Sequence, residues 1–305
     1  MPAISHWIMT LTKIQNWGDH MKDIVLSCDN LLKQYPVKKG MFNKVVGQKN
    51  IVDHVSLELE KGKTLAIVGE SGCGKTVLTR VLLGIEDKTD GSIVFEGKSV
   101  DDMTPQEKSN MKAKIQMIFQ DTLGSLHPRM SIRESLEEPL ILNGVKDKEE
   151  REKIIFADEP ISALDVSLQA QVINMLMDLQ DKYKLSMLLI AHDLAVVRQI
   201  ADQIKIMYFG EIVESAPSSE IYKNAQHPYT KVLLKAAPSI SKGLEDAGFD
   251  IDLKPGDIPD PAKPMPGCPF CTRCIYADER CMKERPEETE VSPGHTVRCH
   301  KAGQI

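Results

Sequence analysis

Nowhere among the 305 residues is there an apolar run approaching the length of about 20 residues needed to cross a bilayer. Also lacking is any Lys/Arg stripe: the formal net charge is -6, and no stretch interleaves aromatic with basic residues. Both absences speak against a nucleic-acid partner. The first twenty residues (MPAISHWIMTLTKIQNWGDH) do not show a basic segment, a continuous apolar region and a cleavage signal in the order of a secretory leader. Residues 1–21 read as an extension of no evident function, and Met21 is a second candidate start. Cysteine is absent from most of the chain. Cys28 and Cys73 stand alone, and the other five of the seven crowd between Cys268 and Cys299.

What remains is ordinary for a globular protein: 42% hydrophobic and 27% charged residues, in a chain long enough for one good core and a smaller second unit. Residues 24–29 (IVLSCD) and 51–59 (IVDHVSLEL) read as strands, with a polar, Lys- and Gly-containing connection between them. Leu65–Val68 is a short apolar strand running into glycines, and TVLTRVLLGI reads as a helix ending near Gly84. Strands are expected at Gly91–Glu96, Ile115–Phe119, Ile154–Ala157, Met187–Ala191 and Ile204–Phe209. Helices are expected at Ser167–Lys184, with Val172, Ile173, Leu176 and Leu179 at helical spacing, and at Leu194–Ala201. The pattern predicts an α/β fold with parallel-type buried strands and a more antiparallel periphery. Around 238–266 the chain turns Pro-, Gly- and Asp-rich, as a linker or wrapping segment does.

One junction breaks the pattern. The polar, helix-prone run 145–153 (VKDKEEREK) abuts the apolar run from Ile154 with no turn residues between, where a connection of about 2–6 residues is usual. It reads as a cut and rejoin.

Gly69, Glu70, Ser71, Gly72, Cys73, Gly74, Lys75 and Thr76 match the eight-residue phosphate-binding P-loop in full, in the strand-to-helix context that pattern requires. Glycines let backbone N–H groups turn inward around a β-phosphate, and the helix N-terminus adds partial positive charge. Lys75 is expected at the β- and γ-phosphates and the Thr76 hydroxyl on Mg²⁺. The run Ile154–Glu159 supplies the natural second half: an apolar strand delivers Asp158 to hold Mg²⁺ through its water shell, and Glu159 as general base on the attacking water. His192 ends another buried strand, where an imidazole reaches a γ-phosphate or serves a structural role.

Together these residues resemble the ATP-binding subunits of ABC transporters, most of all the oligopeptide and dipeptide import branch. The resemblance is carried by Gly69–Thr76, MIFQD ending near Gln120, SLHPRMSIRESLEEPL at 125–140, FADEPISALD at 156–165 and LLIAHDLAVV at 188–197, and it spans about residues 24–305. It implies a P-loop NTPase of ABC type, with a mixed central sheet and a peripheral antiparallel β-subdomain. It further implies that Tyr35 stacks on adenine, that Gln120 senses Mg²⁺, that Asp165 lies in a loop crossing a nucleotide-bound dimer, and that His192 contacts the γ-phosphate. ATP in such proteins is sandwiched between one subunit's P-loop and the other's signature loop.

The chain departs from that family in one respect: a Leu-Ser-Gly-Gly-Gln signature run is absent, and only 38 positions separate Gln120 from Asp158. Judged from the resemblance, roughly forty to fifty residues are missing at the 153/154 junction, and a truncated helical subdomain is expected. The expected organisation is an extension at 1–21, an ABC-type ATP-binding domain at 22–237, and a linker with a small cysteine-rich unit at 238–305. In that unit Cys268, Cys274, Cys281 and Cys299 resemble the branch's pattern for a [4Fe–4S] cluster, with Cys271 as an alternate. Four converging thiolates suit Zn²⁺ as well. His227-Pro228-Tyr229-Thr230 reads as a loop opening a short helix.

The resemblance implies a peripheral subunit at the cytoplasmic face of the cell membrane. Its partners would be two transmembrane permease subunits, a sister ATP-binding subunit and an extracellular solute-binding protein. Alternatives are a catalytically impaired structural subunit of the same transporter, an importer ATPase for nickel or another small solute, and a soluble ABC protein of translation or DNA repair. The last class usually carries paired ATPase domains or long coiled-coil insertions, which this chain lacks.

Overall fold

The computed structural model describes residues 24–39, 44–118, 154–160, 166–237, 253–254 and 265–305. Gln120, Asp165, the run 125–140, the N-terminal extension and residues 145–153 lie outside them. No helix among the described residues is long and apolar enough to cross a membrane.

Three short runs are buried along their whole length: β3 (Thr64–Val68), β7 (Ile154–Asp158) and β8 (Ser186–Ala191). Strands apolar on both faces belong in the middle of a parallel sheet. They sit there with β6 (Ile115–Ile118) and β9 (Gln203–Tyr208), paired in parallel in the order β9-β3-β8-β7-β6. Beyond β9 the sheet turns antiparallel through β10 (Glu211–Pro217), β12 (His295–Val297) and β11 (Thr289–Ser292), making eight strands. The expected mixed central sheet is present. Its last two strands come from the cysteine-rich end of the chain, so that end is sewn into the main sheet.

Alternation along each strand gives the sheet two cores. On one face Ala66, Val68, Leu189, Ile204 and Ile206 pack with Ile173, Leu176 and Leu179 of α3 (Val166–Tyr183). On the other, Ile67, Leu188, Ile190 and Phe156 meet Leu78, Val81 and Leu82 of α1 (Lys75–Leu82) and the antiparallel sheet. That second sheet has the order β2-β1-β4-β5, from β1 (Ile24–Lys39), β2 (Lys44–Glu60), β4 (Asp90–Phe95) and β5 (Lys98–Ser99).

The differences from expectation have local causes. β1 and β2 run far beyond 24–29 and 51–59, because their distal halves form a paired ribbon, with Tyr35 opposite Lys49 and Val37 opposite Gly47. The first eight residues of β2 are exposed or half-buried, so no buried face imposes the alternation that marks a strand. Leu194–Ala201 is helical only over α4 (Leu194–Val197), after which Ile200 and Ala201 both donate to the Val197 carbonyl. Unforeseen was α2 (Pro105–Lys114), entered through a capping box of Thr104 and Glu107. After β10 come α5 (Ser218–Asn224) and α6 (Pro228–Ala236), and α7 (Glu279–Lys283) lies in the C-terminal region.

Candidate nucleotide-binding site

The parallel register sets the site. Val68 pairs with Ala191, and Asp158 with Ile190. The residues that follow, Gly69, His192 and Glu159, therefore leave the same edge of the sheet, at the carboxyl ends where open α/β sheets bind ligands.

Gly69 to Gly74 turn tightly against the fold. A Cβ on Gly69 would stand 2.1 Å from the Met207 carbonyl oxygen, and one on Gly74 would stand 2.3 Å from that of Ile51, with Gly74 at φ +114. The Gly210 N–H donates to the Cys73 carbonyl at 2.8 Å, and the Glu70 N–H donates to the Tyr229 hydroxyl at 2.8 Å. Cys73 is buried, which pushes its thiol pKa up. Ser71 and Gly72 are exposed at the mouth, and the space beside Gly72 is open. The first turn of α1 carries no acidic residue and no side-chain cap, the arrangement in which helix N-terminal N–H groups bind an anion.

Lys75 is buried, and its ammonium donates to the Gly69 and Glu70 carbonyls at 2.7 and 3.0 Å. It lies 4.0 Å from Glu159 Oε1, and His192 Nδ1 lies 3.7 Å from Glu159 Oε2. Glu159 takes a left-handed backbone at φ +48, an uncommon conformation for a non-glycine residue and one that recurs at functional sites. Burial raises the Asp158 pKa, with the Glu159 charge adding to it; a hydrogen bond from the Thr76 side chain and the Lys75 charge oppose the rise. Asp158 Oδ1 is buried and has no hydrogen-bond partner. An orphaned carboxylate oxygen beside the Thr76 hydroxyl fits a hard, hydrated cation such as Mg²⁺.

Tyr35 stands on the β1–β2 ribbon, opposite Lys49 and near Ile51, the residue against Gly74. Its hydroxyl donates to Glu86, and Lys33 Nζ lies 5.2 Å from its ring centroid. The structure thus brings together Gly69–Thr76, Asp158, Glu159 and His192, and holds Tyr35 on the β1–β2 ribbon against Glu86.

The five C-terminal cysteines converge as well. Cys268, Cys271, Cys274, Cys281 and Cys299 line one small cavity. Burial pushes the Cys268 thiol up to about 12 and the Cys299 thiol up to about 11, with neighbouring thiols adding to the rise at both. The donor chemistry suits a soft metal. The placement does not: among the described residues no three His, Cys, Asp or Glu side chains are arranged to hold a metal ion.

Sequence reading missed two parts of the site. Tyr229, in the run read as a helix opening, holds the phosphate loop; His227 does cap α6, accepting from the Tyr229 N–H. Arg273, between two of the cysteines, pairs with Glu70 through two bonds of 2.9 and 3.0 Å. Neither contact has a local signal, since the partners lie 159 and 203 residues apart.

A glycine-walled loop between a buried parallel strand and a helix, faced by a paired Asp-Glu, defines a P-loop nucleotide-binding protein. Comparison with known proteins places it further. Residues 52–196 match the ABC transporter family, and residues 213–281 match the oligopeptide/dipeptide transporter C-terminal region. The dipeptide transport ATP-binding protein DppF of Haemophilus influenzae is 39% identical over 317 residues, covering 90% of this chain and 96% of the relative. The oligopeptide transport ATP-binding protein AppF of Bacillus subtilis is 36% identical over 322 residues, covering 92% and 98%. In fold alone, a dimeric bacterial ABC transporter cassette is similar at a TM-score of 0.51 and 19% identity, covering 63% of this chain and 98% of that one. The structure of cbiO1 from Clostridium perfringens gives 0.51 and 17%, covering 73% and 99%. The chain belongs to the ABC transporter family, in its oligopeptide/dipeptide branch.

Proposed function

We propose that this chain is the ATP-binding subunit of a peptide importer, coupling ATP binding and hydrolysis to passage of oligopeptides or dipeptides through partner permeases at the cytoplasmic face of the membrane. The observation that carries it is the joint occurrence of the P-loop cradle and the oligopeptide/dipeptide C-terminal region in one chain. A sister ATP-binding subunit and an extracellular solute-binding protein complete the assembly.

In this reading the P-loop amides and Lys75 hold the phosphates, and Tyr35 holds the adenine. Thr76 and Asp158, with Gln120, hold Mg²⁺, which supplies charge neutralisation at the phosphates. Glu159 takes a proton from the attacking water as general base. Its backbone N–H is fixed on the Ile190 carbonyl at 3.0 Å, and Lys75 and His192 flank its carboxylate. His192 reaches the γ-phosphate.

The missing signature run makes the proposed dimer asymmetric. What supports a truncation is a difference in length: 90% of this chain is about 275 residues, while the match to the Haemophilus protein extends over 317. The helical subdomain is truncated by that amount, inside an ATP-binding domain of 22–237 flanked by an extension at 1–21 and a linker and cysteine-rich region at 238–305. This chain's P-loop is completed by the sister's signature loop. The sister's P-loop faces no donors, and preorganised donors contribute several kcal/mol at developing charge, so that second site is weak.

Turnover of the assembled transporter carrying Glu159→Gln tests the catalytic role. A fall of about 10²-fold or more is expected; unchanged turnover with the sister site intact makes this chain a nucleotide-binding structural subunit instead. The donor chemistry of the thiols, and not their placement, is what supports a metal at Cys268, Cys274, Cys281 and Cys299, with Cys271 as the alternate: a [4Fe–4S] cluster, or Zn²⁺ in its place. Metal content and visible absorbance of anaerobically purified protein decide. Stoichiometric zinc in a colourless protein rules out the cluster, and metal-free protein rules out both.

A further inference from the structure

The second residue of the P-loop carries a negative charge into a site built for a polyanion. Glu70 lies within the loop that wraps the phosphates, so its carboxylate is within about one Debye length (~8 Å at physiological salt) of any bound triphosphate. Left alone, that charge opposes binding and leaves the side chain free to swing into the mouth at Ser71 and Gly72.

The fold answers both problems from the far end of the chain. Arg273 Nη1 and Nη2 grip Glu70 Oε2 and Oε1 at 2.9 and 3.0 Å, the bidentate geometry that fixes direction as well as charge. Arg273 is only 12% exposed and Glu70 31%, so solvent screens the pair less than a surface ion pair. The guanidinium is itself held from behind, 5.9 Å from the Phe270 ring centroid and 6.0 Å from that of Tyr208, distances of cation–π attraction. Phe270, Tyr208 and Tyr229 form one aromatic cluster with centroids 4.6 to 5.5 Å apart. Through Tyr229 that cluster also holds the Glu70 N–H. Glu70 is thus fastened by its backbone to α6 and by its side chain to the cysteine-rich region.

We propose that Arg273 is a positioning residue for ATP: it neutralises and pins Glu70, so that the cysteine-rich C-terminal region sets the affinity of the P-loop for the triphosphate. This rests on the reading of the P-loop as an ATP site and adds a determinant contributed by a different part of the chain.

The test is equilibrium binding of a fluorescent ATP analogue with Mg²⁺ to the full chain, comparing wild type, Arg273→Ala, Arg273→Lys, Glu70→Gln and the double variant Arg273→Ala/Glu70→Gln. Arg273→Ala is expected to weaken binding about tenfold, equivalent to about 1.4 kcal/mol. Arg273→Lys, which keeps the charge and loses the paired bonds, is expected to recover part of that. In the Glu70→Gln background Arg273→Ala changes affinity less than twofold relative to Glu70→Gln alone, because the charge it answers is gone. Affinity within twofold of wild type for Arg273→Ala overturns the proposal. So does an equal loss with and without the Glu70 carboxylate, since a general disturbance of the fold would act in both backgrounds. If Arg273→Ala does not fold by circular dichroism, Arg273→Gln with and without Glu70→Gln carries the same comparison by the same criteria. Failure of wild type itself to bind the analogue strikes at the ATP site and leaves a different signature from failure of the arginine's role.

Discussion

The Lys75 ammonium stands 4.0 Å from Glu159 Oε1, bridging the P-loop and the end of β7 while donating to the Gly69 and Glu70 carbonyls. A cation buried this deeply, held by carbonyls and one neighbouring carboxylate, is well placed to transfer its hydrogen bonds to phosphate oxygens. Charge-assisted bonds contribute about 1.5–3 kcal/mol each. Lys75→Ala is therefore expected to weaken ATP binding by about a hundredfold while secondary structure by circular dichroism is kept. Lys75→Arg is expected not to rescue, because a planar fork cannot replace a compact ammonium in this space. A variant that binds within threefold of wild type would sink the assignment.

Gly69→Ala tests the wall of the cradle. The added Cβ meets a backbone carbonyl, that of Met207, at 2.1 Å, and a backbone atom in a central strand cannot rotate aside. Either β9 or the loop must move. A loss of about 1–3 kcal/mol in urea unfolding is expected, with nucleotide binding impaired. Gly47→Ala, where nothing lies within 4 Å, serves as the comparison and is expected to change stability by less than about 0.5 kcal/mol. Equal effects at the two glycines would show that close packing at Gly69 is not what the residue is for.

These two residues were legible in the sequence because their signals are local. The P-loop is eight consecutive residues behind a buried run, and Asp158–Glu159 close a second one. β10 escaped notice for the opposite reason: Glu211 and Glu214 lie buried within it and break any apolar pattern. Their partners arrive from the other end of the chain. Arg285 meets Glu211 and Asp53, and His295 Nε2 meets Glu214 at 2.8 Å. A charge buried by a distant partner looks like a surface charge until the fold is known. Arg273 and Glu70 are the same case in the site itself.

His227 makes folding sensitive to mild acid. Burial depresses its imidazole from the ordinary 6.5 to about 4, with the facing Glu214 carboxylate opposing the shift. Glu214 also accepts from the His227 N–H and faces His295, and Lys231 follows one turn along α6. Between these pH values the unfolded chain binds a proton that the folded chain refuses. Stability therefore falls as pH drops from about 6.5 toward 4, by up to about 3 kcal/mol from this group. His227→Asn keeps a side-chain acceptor for the cap and removes the titration. Urea unfolding at pH 7.5 and 5.0 is expected to show a smaller loss for the variant; an identical loss would assign the acid sensitivity to other groups.

Tyr229→Phe isolates the hydroxyl that holds the phosphate loop. The ring still packs 4.6 Å from Tyr208 and 5.5 Å from Phe270, so the core keeps its shape and only the acceptor for the Glu70 N–H is lost. A half-buried donor left without its partner is expected to lower stability by about 1–2 kcal/mol, and the loosened loop to bind ATP more weakly. Tyr222 supplies the control. Its hydroxyl donates to the Leu194 carbonyl, in the same core but away from the P-loop. Tyr222→Phe should lower the melting temperature to a similar degree and leave ATP affinity unchanged. The pair separates two readings of Tyr229, as one more buried phenol or as the fastening of the P-loop. Equal nucleotide affinities for the two variants would settle for the former, since both lose a phenol hydrogen bond and only one of those bonds ends on Glu70.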